Sequence, residues 1–589
     1  MKLQKKLVLL LAVIFIAAST PLLMGTPFNN YEEYNYNLLK EIASKKGFAR
    51  VIVKMDVPGI EDLTAYSTSF KTGNSAGDYA IKQAAFDADL ALDDAISMTR
   101  NTMLHRLNGM PYKINRTFST LPCVALTVPQ ETLEKLKSLP EVLRIEEDNR
   151  IPLPKTERTE ADNGKNGVDR PLLNDTTDII GADVAWGFGY TGQGWYVAIL
   201  DTGIRTSHEM FQGKDIVEHC FSLGENWYDT ENGGCPNGGT EMDGPGSAAH
   251  YEGRFGHGSH VAGIAAGDSH DTYFGVARGS DIIAVNVFTY FPDEDEVYSW
   301  NSDVLRGLEY VYTLRNTYNI AAANLSLGSA TGYSSYCGDA LRADIIANLR
   351  AAGIATAVSS GNESRCGAVA DPACVPGAVT VNATTKSDEE YREGNWHDEM
   401  VDLMAPGTYV NSASGQNDNG YNTRSGTSMA APHVAGAWAV LKSYDGNLSI
   451  DEILTTLQES GTMISSSRCQ GFEPKPRINL GDAIMSFFSI LPPLNLTAEQ
   501  FTNQSFLQRE YINELTWESN PLNADKNITH YRLYIVGTGG QLNLLAEVDS
   551  STFNYRHRGV NFEEPLTYAV TAVDNQGEEG SPFYHTIQF

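Results

Sequence analysis

Between Leu172 and about Phe488, short apolar runs alternate with segments whose apolar residues recur at helical spacing. Trp195–Leu200, Asp281–Phe288, Ala321–Leu327, Ile354–Ser359 and Ala378–Asn382 are nearly continuous in apolar character, as strands buried on both faces of a parallel sheet must be. Ser302–Asn316, Gly338–Ala352, Met429–Lys442 and Ile450–Ser460 read as helices between or after them. The alternation predicts an α/β domain over residues 172–488, a doubly wound and mainly parallel sheet. Such sheets carry their sites at the carboxyl ends of strands.

The pattern differs on either side. From Ala49 to about Asp148 it reads strand, helix, strand, strand, helix, strand, with strands at Ala49–Val53, Tyr112–Phe118, Val124–Val128 and Val142–Glu146. A long helix over much of Asp78–Leu107 and a second after Pro129 complete an α+β, ferredoxin-like unit. Residues 151–171 are polar, with almost no apolar periodicity, and read as an exposed linker open to proteolysis. Beyond Pro492-Pro493, the alternating segments Tyr511–Trp517, Tyr531–Val536, Leu544–Val548 and Thr567–Val573 predict a β-sandwich over residues 495–589.

At the start, Lys2, Lys5 and Lys6 precede an apolar run from Leu7 to Ala18, followed by small residues. That is the layout of a secretory signal peptide over about residues 1–25, and the run is shorter than a spanning helix needs. Export changes how the seven cysteines read: they are disulfide candidates before metal ligands. Cys220 and Cys235 bracket an acidic insert and look like a local pair. Cys374 has either Cys366 or Cys337 as partner, the latter choice leaving Cys366 for Cys469. Cys123 is left over. The net charge of −30 argues against nucleic acid as a partner, because phosphate binding needs a basic footprint.

Three segments carry candidate chemistry. Val197-Ala198-Ile199-Leu200-Asp201-Thr202-Gly203 sets an Asp at the end of a buried strand. Gly256-His257-Gly258-Ser259-His260 sets a His at the start of a small-residue helix, and Ser425-Gly426-Thr427-Ser428-Met429-Ala430-Ala431-Pro432 sets a Ser where a turn enters a helix. A serine becomes a nucleophile when a base removes its proton and a third group orients that base. The order Asp, His, Ser is that of subtilisin, unlike chymotrypsin or the α/β-hydrolases. By itself Ser428 is more often a helix cap; the ordered set overturns that reading. Asp201-Thr202-Gly203 has no second copy, which argues against a two-carboxylate acid protease. His257 and His260 lack an intervening Glu and a third ligand, which argues against a metalloprotease. His208, His260 and His433 read as structural.

These blocks resemble those of the subtilisin-like serine proteases (subtilases). A fourth, Val358-Ser359-Ser360-Gly361-Asn362-Glu363, is similar to the family block whose Asn helps form the oxyanion hole. The resemblance implies catalysis by Asp201, His257 and Ser428, with Asn362 and the Ser428 N–H as oxyanion donors. It implies substrate binding along Ser326-Leu327-Gly328 and, opposite, Ser359, Ser360 and Gly361, with small residues favouring an open pocket for large apolar or varied side chains. Residues 26–150 resemble the inhibitory propeptide of many subtilases, and the last domain resembles a fibronectin type III module. The implied protein is a secreted, monomeric endopeptidase acting on proteins and peptides, made as a zymogen that Ser428 cuts between about Arg150 and Pro171. An inactive subtilase fold serving as a binding or adhesion protein and an exopeptidase are the alternatives. The chemistry requires no cofactor. Many subtilases bind structural calcium through an acidic residue soon after the catalytic Asp, but Met210 stands there in this chain. The acidic insert Glu225–Asp243 is the alternative place for an ion.

Overall fold

The structure, a computed structural model, describes residues 30–68, 79–154, 157–159, 174–224, 233–249, 256–338, 341–504, 509–538 and 540–588. The signal-peptide segment, most of the linker and half of the acidic insert lie outside the described residues. Two compact units divide the chain. One takes residues up to Asp56, Thr99–Thr117 and Cys123–Asp148; the other takes Val57–Met98, Phe118–Pro122 and everything from Asn149 on.

The smaller unit is built on a four-stranded antiparallel sheet in the order Lys113–Thr117, Cys123–Val128, Ala49–Met55, Val142–Glu147. Its central strand, Ala-Arg-Val-Ile-Val-Lys-Met, is buried along nearly its whole length. The Arg50 guanidinium is therefore buried too, and it is met by the buried Asp148 carboxylate at 3.1 Å. The helix Asn30–Lys46, which buries Tyr36, Leu39 and Ala43, was not expected from the sequence.

The larger unit holds a ten-stranded sheet. From one edge it runs Thr462–Ile464, Lys475–Arg477, Leu403–Pro406, Val379–Thr384, Ala355–Ser359, Ile320–Leu325, Tyr196–Asp201, Asp281–Asn286, Ile216–Phe221, Glu241–Asp243. All neighbouring pairs are parallel except the outermost one at each edge. The five sequence-predicted strands all lie in this sheet, with ends shifted by at most two residues. Asp281–Phe288 is the exception, since it breaks after Asn286 and resumes as Phe288–Phe291. Ile216–Phe221 escapes the apolar pattern because it buries Glu218 and His219. The Glu218 carboxylate accepts the N–H groups of Gly246 and Ala248, so an internal acid braces the neighbouring loop.

The core of this unit is alanine-rich, and the helix Thr427–Tyr444 runs through it with every residue from Thr427 to Lys442 buried. A helix apolar on all sides belongs in an interior. Three disulfides are present, Cys220–Cys235, Cys337–Cys374 and Cys366–Cys469, and the buried Cys123 takes part in none of them.

Past Leu494, a three-stranded and a four-stranded antiparallel sheet share one apolar core containing Leu515, Trp517, Tyr531, Leu533 and Val570. Phe583 and Phe488 both meet Phe188, the latter stacked at 5.4 Å.

Candidate active site

The four candidate groups sit at element ends. Asp201 closes the strand Tyr196–Asp201, His257 opens the helix His257–Ala266, and Ser428 is the second residue of the helix Thr427–Tyr444. Asn362 follows the strand Ala355–Ser359. Asp201, His257 and Ser428 are all buried.

His257 Nδ1–H faces both Asp201 oxygens, at 2.8 and 3.0 Å. The carboxylate is itself fixed, because the Thr202 N–H donates to its Oδ1 at 2.7 Å, and Thr202 Oγ1 accepts the N–H of Gly258 at 3.0 Å. The glycine after His257 is required by this closeness: a Cβ on Gly258 would lie 2.2 Å from the Gly203 carbonyl oxygen. With Nδ1 donating to a carboxylate, the neutral ring presents Nε2 as a base. Nε2 has no hydrogen-bond partner among the described residues, and Ser428 Oγ–H makes only a long contact to the Ser326 carbonyl at 3.4 Å.

The Asn362 amide is oriented by chemistry that allows one assignment. Thr427 N–H and Thr427 Oγ1–H both donate to Asn362 Oδ1 at 2.9 Å, so the carbonyl end is taken and Nδ2 is the donor end the site can offer. Ser428 lies in the first turn of its helix, where backbone N–H groups have no intrahelical partner.

Of the residues expected to bind substrate, Ser326 and Leu327 are buried just past the strand Ile320–Leu325. Ser326 Oγ–H donates to the Ser428 carbonyl at 2.7 Å. Gly328 and Gly361 both pack closely on Ala370, whose methyl carbon lies 3.2 and 3.0 Å from where their Cβ atoms would be. Ser359 and Ser360 are buried, and Ser360 N–H donates to Val381 O at 2.9 Å in the sheet.

Sequence reasoning did not find Thr202, Thr427 or Asn395, which hold these groups through hydrogen bonds. The two threonines lie inside the motifs. Asn395 stands in an irregular stretch with no periodic signal.

The three neighbouring histidines are used as links. His260 Nε2–H donates to Val410 O and Asn422 O, His208 Nε2–H donates to Gly420 O, and His433 spans Met429 O and Thr176 Oγ1. Burial holds His260 well below the ordinary imidazole range and pushes His433 down to about 4.

As for metal ligands, Met210 is buried in the apolar core. Among the described residues, Cys337, Asp371 and Cys374 cluster, but the cysteines are bonded to each other and Asp371 pairs with Arg342. Desolvation raises Asp402 to about 7 although Thr380 N–H donates to it.

Comparison with known proteins bears on this arrangement. Residues 192–476 match the Subtilase family. An extracellular serine proteinase of Thermus sp. (strain Rt41A) is 32% identical over 54% of this chain and 65% of its own length. Subtilisin-like protease 3 of Trichophyton equinum is 30% identical over 46% of this chain and 58% of its own. The chain thus spans less than two thirds of these two relatives. A solved cold-adapted subtilisin-like serine proteinase aligns with a TM-score of 0.37 at 28% identity, over 49% of this chain and 89% of that one.

Proposed function

We propose that this chain, whose residues 192–476 match the subtilases, is a secreted serine-type endopeptidase made with an N-terminal inhibitory segment. The observation that carries the reading is the His257 ring held by both oxygens of Asp201, in a chain whose Ser428 stands second in a buried helix. Asp201 fixes the tautomer and steadies the imidazolium that forms. His257 Nε2 takes the proton of Ser428 Oγ as that oxygen bonds to the substrate carbonyl carbon, and then gives it to the departing amine. Water, deprotonated by the same nitrogen, releases the acyl group. Asn362 Nδ2 and the Ser428 N–H receive the charge on the carbonyl oxygen. Loss of one such donor lowers turnover about 10²–10³-fold. For this cycle Ser428 Oγ turns from Ser326 O toward Nε2.

The small residues Gly328, Ser359, Ser360 and Gly361 are the ground for a substrate pocket open to large apolar residues, as the family resemblance implies. Peptide would lie along Ser326-Leu327-Gly328 on one side and Ser359-Ser360-Gly361 on the other. A structural calcium ion would not use Met210, which is buried in the apolar core.

Two features of the larger unit support the zymogen. Glu309 is buried, and its carboxylate accepts the N–H groups of Ser119, Thr120 and Leu121 together with the Thr120 hydroxyl. The segment Arg150–Pro152 pairs antiparallel with Glu296–Trp300, and Glu157–Thr159 pairs antiparallel with Tyr421–Ser425, the strand that leads through Gly426 into Ser428. A chain held as a strand on either side is bound as a peptide substrate is, by main-chain hydrogen bonds.

The test is labelling with a serine-directed phosphonate. Modification at Ser428, abolished in Ser428→Ala and His257→Ala, is expected; an unlabelled mature protein would favour a binding protein built on the same fold. The signal-like segment and the extracellular serine proteinase of Thermus sp. support an extracellular location. No helix among the described residues is long and apolar enough to cross a membrane.

A further inference from the structure

We propose that Asn395 is a positioning residue for the oxyanion donor Asn362, gripping the peptide groups on both sides of it. The proposal rests on the reading of Asn362 as that donor.

Asn395 is fully buried in the irregular stretch between the strands Val379–Thr384 and Leu403–Pro406. Its main-chain N–H donates to the Gly361 carbonyl at 3.0 Å. Its Oδ1 accepts the N–H of Glu363 at 3.2 Å and the N–H of Arg365 at 3.0 Å. The peptide group before Asn362 and the one after it are therefore both bonded to one residue. Nδ2–H donates onward to the Ser360 carbonyl at 3.0 Å and to the Glu363 carboxylate at 2.6 Å. All side-chain donors and acceptors of Asn395 thus close on residues 360–365, and none is spent on its own segment.

This grip matters because the turn is not one the chain takes by default. Gly361 has φ +102° and Ser364 has φ +57°, conformations that cost free energy for L residues and persist only when neighbours enforce them. A Cβ on Gly361 would lie 2.4 Å from Asn395 Nδ2, so the glycine and the asparagine are fitted to each other. The side chain of Asn362 is steered at its tip by Thr427 and at its root by Asn395. An oxyanion donor contributes when it is already aimed at the place where charge develops, so error at the root is paid in turnover.

The charged groups around the grip are accounted for. Glu363 also pairs with Arg365 at 3.0 Å, and Arg468 donates to the carbonyls of Ser364 and Gly394. Asp in place of Asn395 keeps the acceptor for Glu363 and Arg365 but loses the donor and sets a second carboxylate against Glu363.

The experiment is a double-mutant cycle in the mature, active-site-titrated enzyme, using Asn395→Ala, Asn395→Asp, Asn362→Leu and the pair Asn362→Leu with Asn395→Ala. In the Asn362 background, we expect Asn395→Ala to lower kcat about 10-fold or more with KM within a few-fold, and Asn395→Asp to do the same. In the Asn362→Leu background, the same change should lower kcat less than about 2-fold, because the group it positions is gone. Equal losses in both backgrounds, or a loss of Tm with kcat per titrated site unchanged, would overturn the positioning role. If Asn362→Leu by itself leaves kcat intact, it is the oxyanion reading that fails, a result separate from the behaviour of Asn395. Asn395→Ser, smaller yet still polar, serves where Asn395→Ala does not fold.

Discussion

Pro432 stands four residues after Ser428 in the same helix, and the N–H it lacks is the one that would have bound the Ser428 carbonyl. Ser326 Oγ–H binds that carbonyl instead, at 2.7 Å, and Asn324 Nδ2–H in turn donates to Ser326 Oγ at 3.0 Å. The Ser428 carbonyl is thereby tied to Ser326, just past the strand Ile320–Leu325, and not to Pro432 of its own helix. Ser326→Ala leaves a buried carbonyl without this partner, which costs about 1–3 kcal/mol. Thermal unfolding of the Ser428→Ala background protein should show the fall in Tm. In the active enzyme, kcat should fall while the protein still takes up the phosphonate at Ser428. An unchanged Tm would show that the carbonyl finds another donor.

Acid should destabilise the larger unit through two histidines that do no chemistry. His433 is fully buried and its desolvation lowers it to about 4, while the unfolded chain keeps the ordinary value near 6.5. Above that value both states are neutral and nothing changes. As pH falls from about 6.5 to 4 the unfolded chain takes a proton that the fold refuses, and stability is lost at about 1.4 kcal/mol per pH unit. His260, lowered for the same first reason, adds in the same direction. Tm of the Ser428→Ala protein should therefore drop between pH 7 and pH 4.5. His433→Gln should flatten that drop, and an equally steep drop in the variant would remove His433 from the account.

The legible parts of this chain are those where local pattern and tertiary role agree. Val197–Leu200 reads as a buried parallel strand and is one, and Asp201 at its end is where such a sheet should keep a functional group. Ile216–Phe221 was not legible, because its inward Glu218 and His219 find internal partners that a linear pattern does not display. Asn395 was not legible for a related reason: its partners are main-chain groups some thirty residues earlier, brought near only by the parallel sheet. For the cysteines the sequence supplied alternatives; the contacts between distant segments select Cys337–Cys374 and Cys366–Cys469.

Cys366 comes four residues after Asn362, and its bond to Cys469 closes a separation of 103 residues. Arg468 reinforces the tie through its bonds to Ser364 O and Gly394 O. Replacing both cysteines by Ala should cost about 2–5 kcal/mol, chiefly by loosening the unfolded chain less tightly held without the bridge. Because the bridge anchors the turn that carries Asn362, kcat should fall as well. Removing Cys220–Cys235, which closes 15 residues at the far edge of the sheet, should lower Tm by less and leave kcat unchanged. Equal effects of the two changes on kcat would separate the bridge from the oxyanion turn.

The last prediction concerns the first bond the enzyme cuts. On the proposed reading, the strand pairings of Arg150–Pro152 and Glu157–Thr159 narrow the expected cut to between Pro152 and Glu157. The N-terminus of the mature protein, read by mass spectrometry, should then begin within residues 153–157. In Ser428→Ala the junction should stay intact in a host without proteases. Glu309→Gln should keep the site but slow processing, because a neutral amide accepts the three N–H groups of residues 119–121 more weakly than a carboxylate does. A mature terminus beyond residue 160, or normal cutting in Ser428→Ala, would mean that the paired strands do not mark the bond.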